Sequence, residues 1–65
     1  MISKIIRLKN NIVMVLDEHG EQLPEYQGFY YDVHDKILAD APANAVFNHW
    51  CGRAPVPVTV PAEEW

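Results

Sequence analysis

His49 and Cys51, with Trp50 between them, are the residues of this sequence whose side chains are best suited to chemistry. They fall in a segment that we interpret as a strand, so their side chains project from the same face. Imidazole and thiolate together suit Zn²⁺, but a structural zinc site needs four ligands. His34 is a further nitrogen donor. We therefore take His49, Cys51 and His34 as candidate metal ligands. The alternative is an imidazole at the rim of the sheet and a cysteine that packs as a small hydrophobic residue.

Cys51 is also the one residue with the chemistry of a strong nucleophile. Catalysis would need a base and an orienting group that converge on its thiol. His49 is near in sequence, but neighbours along one strand face are only marginally placed for that hydrogen bond. No signature of a catalytic family surrounds Cys51. We therefore predict a protein that is not an enzyme, with no catalytic residues and no cofactor.

The length of 65 residues predicts one domain over residues 1–65. A core of this size supplies only about 3–5 kcal/mol of net stability. Small domains often add a disulfide, a metal or a partner. The single cysteine excludes an intramolecular disulfide, so a metal or an oligomer remains. The composition, 49% hydrophobic and 22% charged, is typical of a globular chain.

The sequence offers no sign of a membrane segment or an export signal. No apolar run approaches the ~20 residues that cross a bilayer. Lys4, Arg7 and Lys9 interrupt the N-terminal hydrophobic stretch, and no small-residue cleavage site follows it. Together with the lone cysteine, this predicts a cytoplasmic protein without membrane contact.

The net charge of −4 is spread unevenly along the chain. Lys4, Arg7 and Lys9 make the first nine residues basic, whereas all the acids follow them. An acidic body repels phosphate backbones, which argues against nucleic acid as a partner. Binding of nucleic acid through the basic N-terminal hairpin is kept as the weaker alternative.

Residues 2–17 predict a β-hairpin in which Asn10 and Asn11 form a two-residue turn. That turn pairs Leu8 with Val13, Ile6 with Val15 and Lys4 with Asp17.

This register determines which side chains lie on each of the two faces of the hairpin. The strand over residues 12–16 is apolar on both sides, and one helix covers only one of them. A second copy of the chain is the simplest cover for the other. The predicted interaction residues are Ile5, Arg7, Met14 and Leu16 on that face, together with Trp65, which either docks or stays exposed.

The remaining elements follow from periodicity and prolines. A helix over residues 25–40 is predicted by an apolar stripe at helical spacing, formed by Tyr26, Tyr30, Val33, Ile37 and Ala41. This helix starts after Gly28 if that glycine is not helical. Residues 45–50 and 55–60 predict strands. Pro55, Pro57 and Pro61 remove N–H groups along one side of the last strand, which makes it an edge strand.

These elements predict an α+β fold: a small antiparallel sheet of four to five strands, in ββ(β)αββ order, with one helix packed on one face. The functional expectation is a structural or protein-interaction module. Its partner is itself, as a homodimer, or another protein. The alternative is a metal-binding or thiol-dependent site at His49 and Cys51.

Overall fold

The structure describes residues 1–50 and 57–65, and in these ranges the computed structural model has five strands and one helix. The predicted α+β class is confirmed. The elements are β1 (Ile2–Leu8), β2 (Ile12–Asp17), β3 (Gly28–Phe29), α1 (Tyr30–Asp40), β4 (Val46–Trp50) and β5 (Val58–Val60), with 3₁₀ turns at Pro24–Tyr26 and Ala62–Glu64.

The sheet is mixed, with strand order β3-β2-β1-β4-β5. Neighbours pair antiparallel except β1 and β4, which run parallel. The parallel pair arises because α1 carries the chain back across the sheet, and such a crossover returns it in the same direction. The prediction that the last strand lies at an edge is confirmed for β5, which Pro57 and Pro61 flank. Pro55 lies outside the described residues.

The hairpin turn differs from the prediction by one residue. Only Asn11 has a positive φ, 65°, and its N–H donates to the Leu8 carbonyl oxygen at 3.0 Å. The loop therefore has three residues, the type in which a turn ends on a left-handed residue. The register becomes Arg7 with Val13 and Ile5 with Val15. A slip of one residue reassigns every side chain of a strand relative to its neighbour, so the predicted face of Ile5 is wrong.

The helix starts later than residue 25, as the position of Gly28 suggested. Gly28 has φ 147°, a conformation that other residues rarely adopt, and it belongs to β3. α1 then begins at Tyr30 and buries Val33 and Ile37 of the predicted stripe. Ala41 is extended, as expected for a residue before proline.

The core lies between α1 and one face of the sheet. Ile5, Val15 and Ile37 are completely buried there. The whole core cluster is Ile2, Ile5, Val13, Val15, Val33, Ile37, Phe47 and Trp65.

Trp65 closes the core at its end nearest β4. The last 3₁₀ turn brings its ring to 5.2 Å from that of Phe47, and its indole N–H donates to the Asn48 carbonyl oxygen at 3.1 Å. Only 4% of Trp65 is exposed. Of the two positions that the sequence allowed, the docked one is observed.

Asp17 holds the turn after β2. One carboxylate oxygen accepts hydrogen bonds from the backbone N–H groups of His19, at 2.8 Å, and Glu21, at 2.9 Å. Gly20 makes the turn with φ 80°. The pKa of Asp17 is lowered, chiefly because the Glu21 N–H stabilises the charged form, and the His19 N–H acts in the same sense.

This arrangement predicts a pH dependence that Asp17→Asn removes. A carboxyl whose pKa is lower in the folded state stabilises the fold above its unfolded value, about 3.9, and that contribution is lost as the pH falls through the folded value. Asparagine keeps an acceptor oxygen but does not titrate. Urea unfolding from about pH 5 to about pH 2 should show a shallower loss of stability in Asp17→Asn than in the wild type. Asp32→Asn, a change at an exposed acid of α1, is the control. Parallel curves for Asp17→Asn and wild type would contradict the assignment.

Candidate interaction surface

The face of the sheet opposite α1 has no described helix packed against it. We call this surface the open face. Side chains alternate along a strand, so the residues between the core positions project from it. Its members in the described strands are Lys4, Ile6 and Leu8 of β1, Ile12, Met14 and Leu16 of β2, Phe29 of β3, Val46, Asn48 and Trp50 of β4, and Thr59 of β5.

The residues of the open face form rows across the strands. One row joins Met14, Ile6 and Asn48, and another joins Leu16, Lys4 and Val46. Ile6 lies at the centre of the open face and is only 7% exposed. Towards the rim, Ile12 is 38% and Val46 41% exposed. The open face is therefore an apolar surface with accessible edges.

Lys4 is the only charged side chain among the described strand residues of the open face. The described strand residues of that face include no carboxylate. The acids of the described chain lie in the turns and around α1, where Asp32, Asp35 and Asp40 are exposed. Within residues 1–50 and 57–65, α1 therefore presents acids to solvent, whereas the open face is apolar and carries one positive charge.

The predicted interaction residues do not come together on one surface. Met14 and Leu16 lie on the open face, half-buried. Ile5 lies beneath α1 and is fully buried, because the hairpin register differs from the predicted one. Trp65 is buried in the same core. Both are needed inside the fold and neither is exposed to a partner.

Sequence reasoning missed Ile6 and Leu8 as members of the open face. A two-residue turn places both residues on the face of Val13 and Val15, whereas a three-residue turn places them beside Met14. The sequence is equally compatible with a three-residue loop of Lys9, Asn10 and Asn11, which gives the observed register.

Arg7 lies on the helix side of the sheet and is held there. Its guanidinium donates two hydrogen bonds to the Asn11 side-chain oxygen, at 3.1 and 2.8 Å, and lies 3.6 Å from the centre of the Tyr30 ring. These contacts fix the hairpin turn to the start of α1. Lys4 lies on the opposite face, so the basic N-terminal residues do not form one patch for nucleic acid.

The candidate metal ligands are placed on different elements. His49 is exposed in β4, on the same side of the sheet as Arg7. His34 of α1 stacks on the Trp65 ring at 5.7 Å and contacts Asp35 at 3.0 Å. Among residues 1–50 and 57–65, no three His, Cys, Asp or Glu side chains are grouped in a way that could hold a metal. Cys51 lies outside the described residues, so both its metal and its nucleophile interpretations remain untested predictions.

In the described ranges, no helix has the length and hydropathy that crossing a membrane requires. No protein-family model matches this sequence, and no curated protein or solved structure gives a significant match.

Proposed function

We propose that this protein is a small non-catalytic interaction module that self-associates by stacking the open faces of two sheets. The observation that carries the proposal is the open face itself. A sheet with apolar side chains on both sides is normally covered on both sides. Here α1 covers one of them, and Ile12, Met14 and Leu16 project from the other. Contiguous apolar surface of this kind is typical of protein contacts.

The charge distribution favours a second copy as the cover. The chain carries a net charge of −4, so two copies repel each other when their acidic sides meet. The open face lacks carboxylates among its described residues. Stacking through it keeps the acids around α1 of the two copies on opposite outer surfaces, where water screens them. Two such sheets would pack about 10 Å apart.

The edges of the sheet also favour stacking over lateral pairing. β3 has only two residues, and β5 is a three-residue strand flanked by Pro57 and Pro61. Short edges and prolines give an incoming strand few backbone groups to bond. The open face is therefore the better surface for a partner of the same kind.

Sedimentation equilibrium tests the proposal with a matched pair of variants. We expect wild-type protein to dimerise at high micromolar concentration. Met14→Lys should raise the dissociation constant about tenfold or more, because an unpaired ammonium would be buried in the contact. Leu38→Lys places the same charge on an exposed position of α1, where Leu38 is 39% exposed, and should associate as the wild type does.

Circular dichroism of both variants confirms that they remain folded. Wild-type protein that stays monomeric at high micromolar concentration would remove self-association. Equal association of the two variants would move the contact away from the open face.

A further inference from the structure

A hollow of about 450 Å³ opens on the open face where β1, β4 and β5 meet. Its described lining combines apolar walls with side chains that can donate hydrogen bonds. The lining residues are Ser3, Lys4, Val46, Asn48, Pro57 and Thr59.

Asn48 is the buried polar residue of this hollow, with only 2% of its surface exposed. The Thr59 hydroxyl donates to its side-chain oxygen at 3.0 Å. Its side-chain nitrogen, Nδ2, is buried and has no hydrogen-bond partner among the described residues. A buried donor without an acceptor destabilises a fold, and nearly all such groups in proteins are paired.

The other polar groups of the lining are donors as well. Lys4 forms no ion pair with a described residue. The Ser3 hydroxyl forms no hydrogen bond with a described residue. No carboxylate contributes to the described lining. The hollow therefore has a positive charge and spare donors, and its one strong side-chain acceptor, the Asn48 oxygen, is already used.

We propose that the hollow binds a carboxylate group. One carboxylate oxygen accepts a hydrogen bond from Asn48 Nδ2, and the Lys4 ammonium neutralises the negative charge. One lysine and one amide suit a monoanion, whereas a phosphate dianion is usually bound by arginines or several backbone N–H groups. A metal cation is excluded as the ligand because the described lining supplies no anionic oxygen.

We take Lys4 as the side chain that gives access, because it is exposed and lines the same hollow as Asn48. Asn48 Nδ2 is shielded from water, so the entering group reaches it when neighbouring side chains turn aside. Lys4 is exposed and has a flexible four-carbon stem, which lets its ammonium follow the ligand. The proposal does not depend on self-association. It does explain how Lys4 could be covered by a partner, since a buried ammonium needs a counter-charge.

NMR titration of ¹⁵N-labelled protein with sodium acetate, against sodium chloride at equal ionic strength, tests the site. We expect a saturable shift of the Asn48 side-chain amide signals with acetate only. Lys4→Met should abolish it, and Lys9→Met, which removes another exposed lysine, should retain it. A shift that chloride reproduces, or one that survives in Lys4→Met, overturns the proposal.

Asn48→Leu tests whether the Asn48 side-chain amide takes part in binding acetate. Because this variant lacks the Asn48 side-chain amide, the response is read from the backbone amide signals of Lys4 and Thr59. Leucine has the branched shape of asparagine, a larger volume and no unpaired donor, so we expect a folded protein in which these signals no longer respond to acetate. Acetate-induced shifts of these backbone signals that persist in Asn48→Leu would overturn the proposal.

Self-association of Lys4→Met distinguishes two sources of the carboxylate, a second copy of the chain and a free molecule. A raised dissociation constant of the dimer would assign the site to a carboxylate of the second copy, and would contradict stacking through two open faces, which carry no carboxylate among their described residues. An unchanged dissociation constant, with the acetate response lost, assigns it to a free carboxylate.

Discussion

Replacing Trp65 with alanine is expected to leave most of the protein unfolded at room temperature. Truncation of a buried tryptophan costs about 3–5 kcal/mol. A core of this size supplies about the same net stability. Trp65 contacts Tyr30 and Phe47, each at 5.2 Å between ring centres, so its removal opens the core between α1 and β4. Far-UV circular dichroism and urea unfolding measure the loss.

Two further variants identify which part of Trp65 matters. Trp65→Phe keeps an aromatic ring in the core but loses the hydrogen bond to the Asn48 carbonyl oxygen, and should cost about 1 kcal/mol for that bond plus a smaller packing loss. Glu64→Ala changes the exposed neighbour and should stay within about 0.5 kcal/mol of wild type. If Trp65→Ala unfolds at the same urea concentration as wild type, the docked position of Trp65 is wrong.

The second large effect is expected at Ile37, the completely buried residue of α1. Ile37→Ala should lower the free energy of unfolding by about 2–5 kcal/mol, because it leaves a cavity between the helix and the sheet. The next residue offers a matched control. Leu38 is 39% exposed, and Leu38→Ala should cost no more than about 0.5 kcal/mol.

Urea unfolding of Ile37→Ala and Leu38→Ala on the same day, monitored by tryptophan fluorescence, gives the comparison directly. Equal losses in the two variants would mean that α1 presents a different side to the sheet. That outcome would also remove the argument for the open face, which depends on α1 covering only the side that carries Ile5 and Val15.

The order of the elements could be predicted from the sequence because each has a local cause. Runs rich in β-branched residues predict β1 and β2, and the stripe through Val33 and Ile37 predicts α1. Gly28 and the Ala41–Pro42 pair mark where helical geometry becomes unfavourable. The parallel pairing of β1 with β4 has no such local signal, since it depends on the path of α1 across the sheet.

The sequence predicts a second apolar face of the sheet, but it does not predict which residues of β1 belong to that face. The run of apolar residues in β2 predicts that both sides of the sheet are covered, whichever register is adopted. Which residues of β1 share a side with Met14 depends on one residue of turn length, and Asn10 and Asn11 both tolerate positive φ. The unpaired amide of Asn48 could not be predicted, because it follows from the absence of an acceptor in a three-dimensional neighbourhood.

The two short edges of the sheet have a consequence for how assembly ends. Addition of strands edge to edge has no intrinsic stopping point and leads to open fibres. β3 is too short to act as a template, and the prolines flanking β5 reduce the backbone donors at the other end. Contact through a single face, in contrast, is complete once two copies have met. In the proposed assembly, the short edges of this sheet would therefore favour a closed pair over an open fibre.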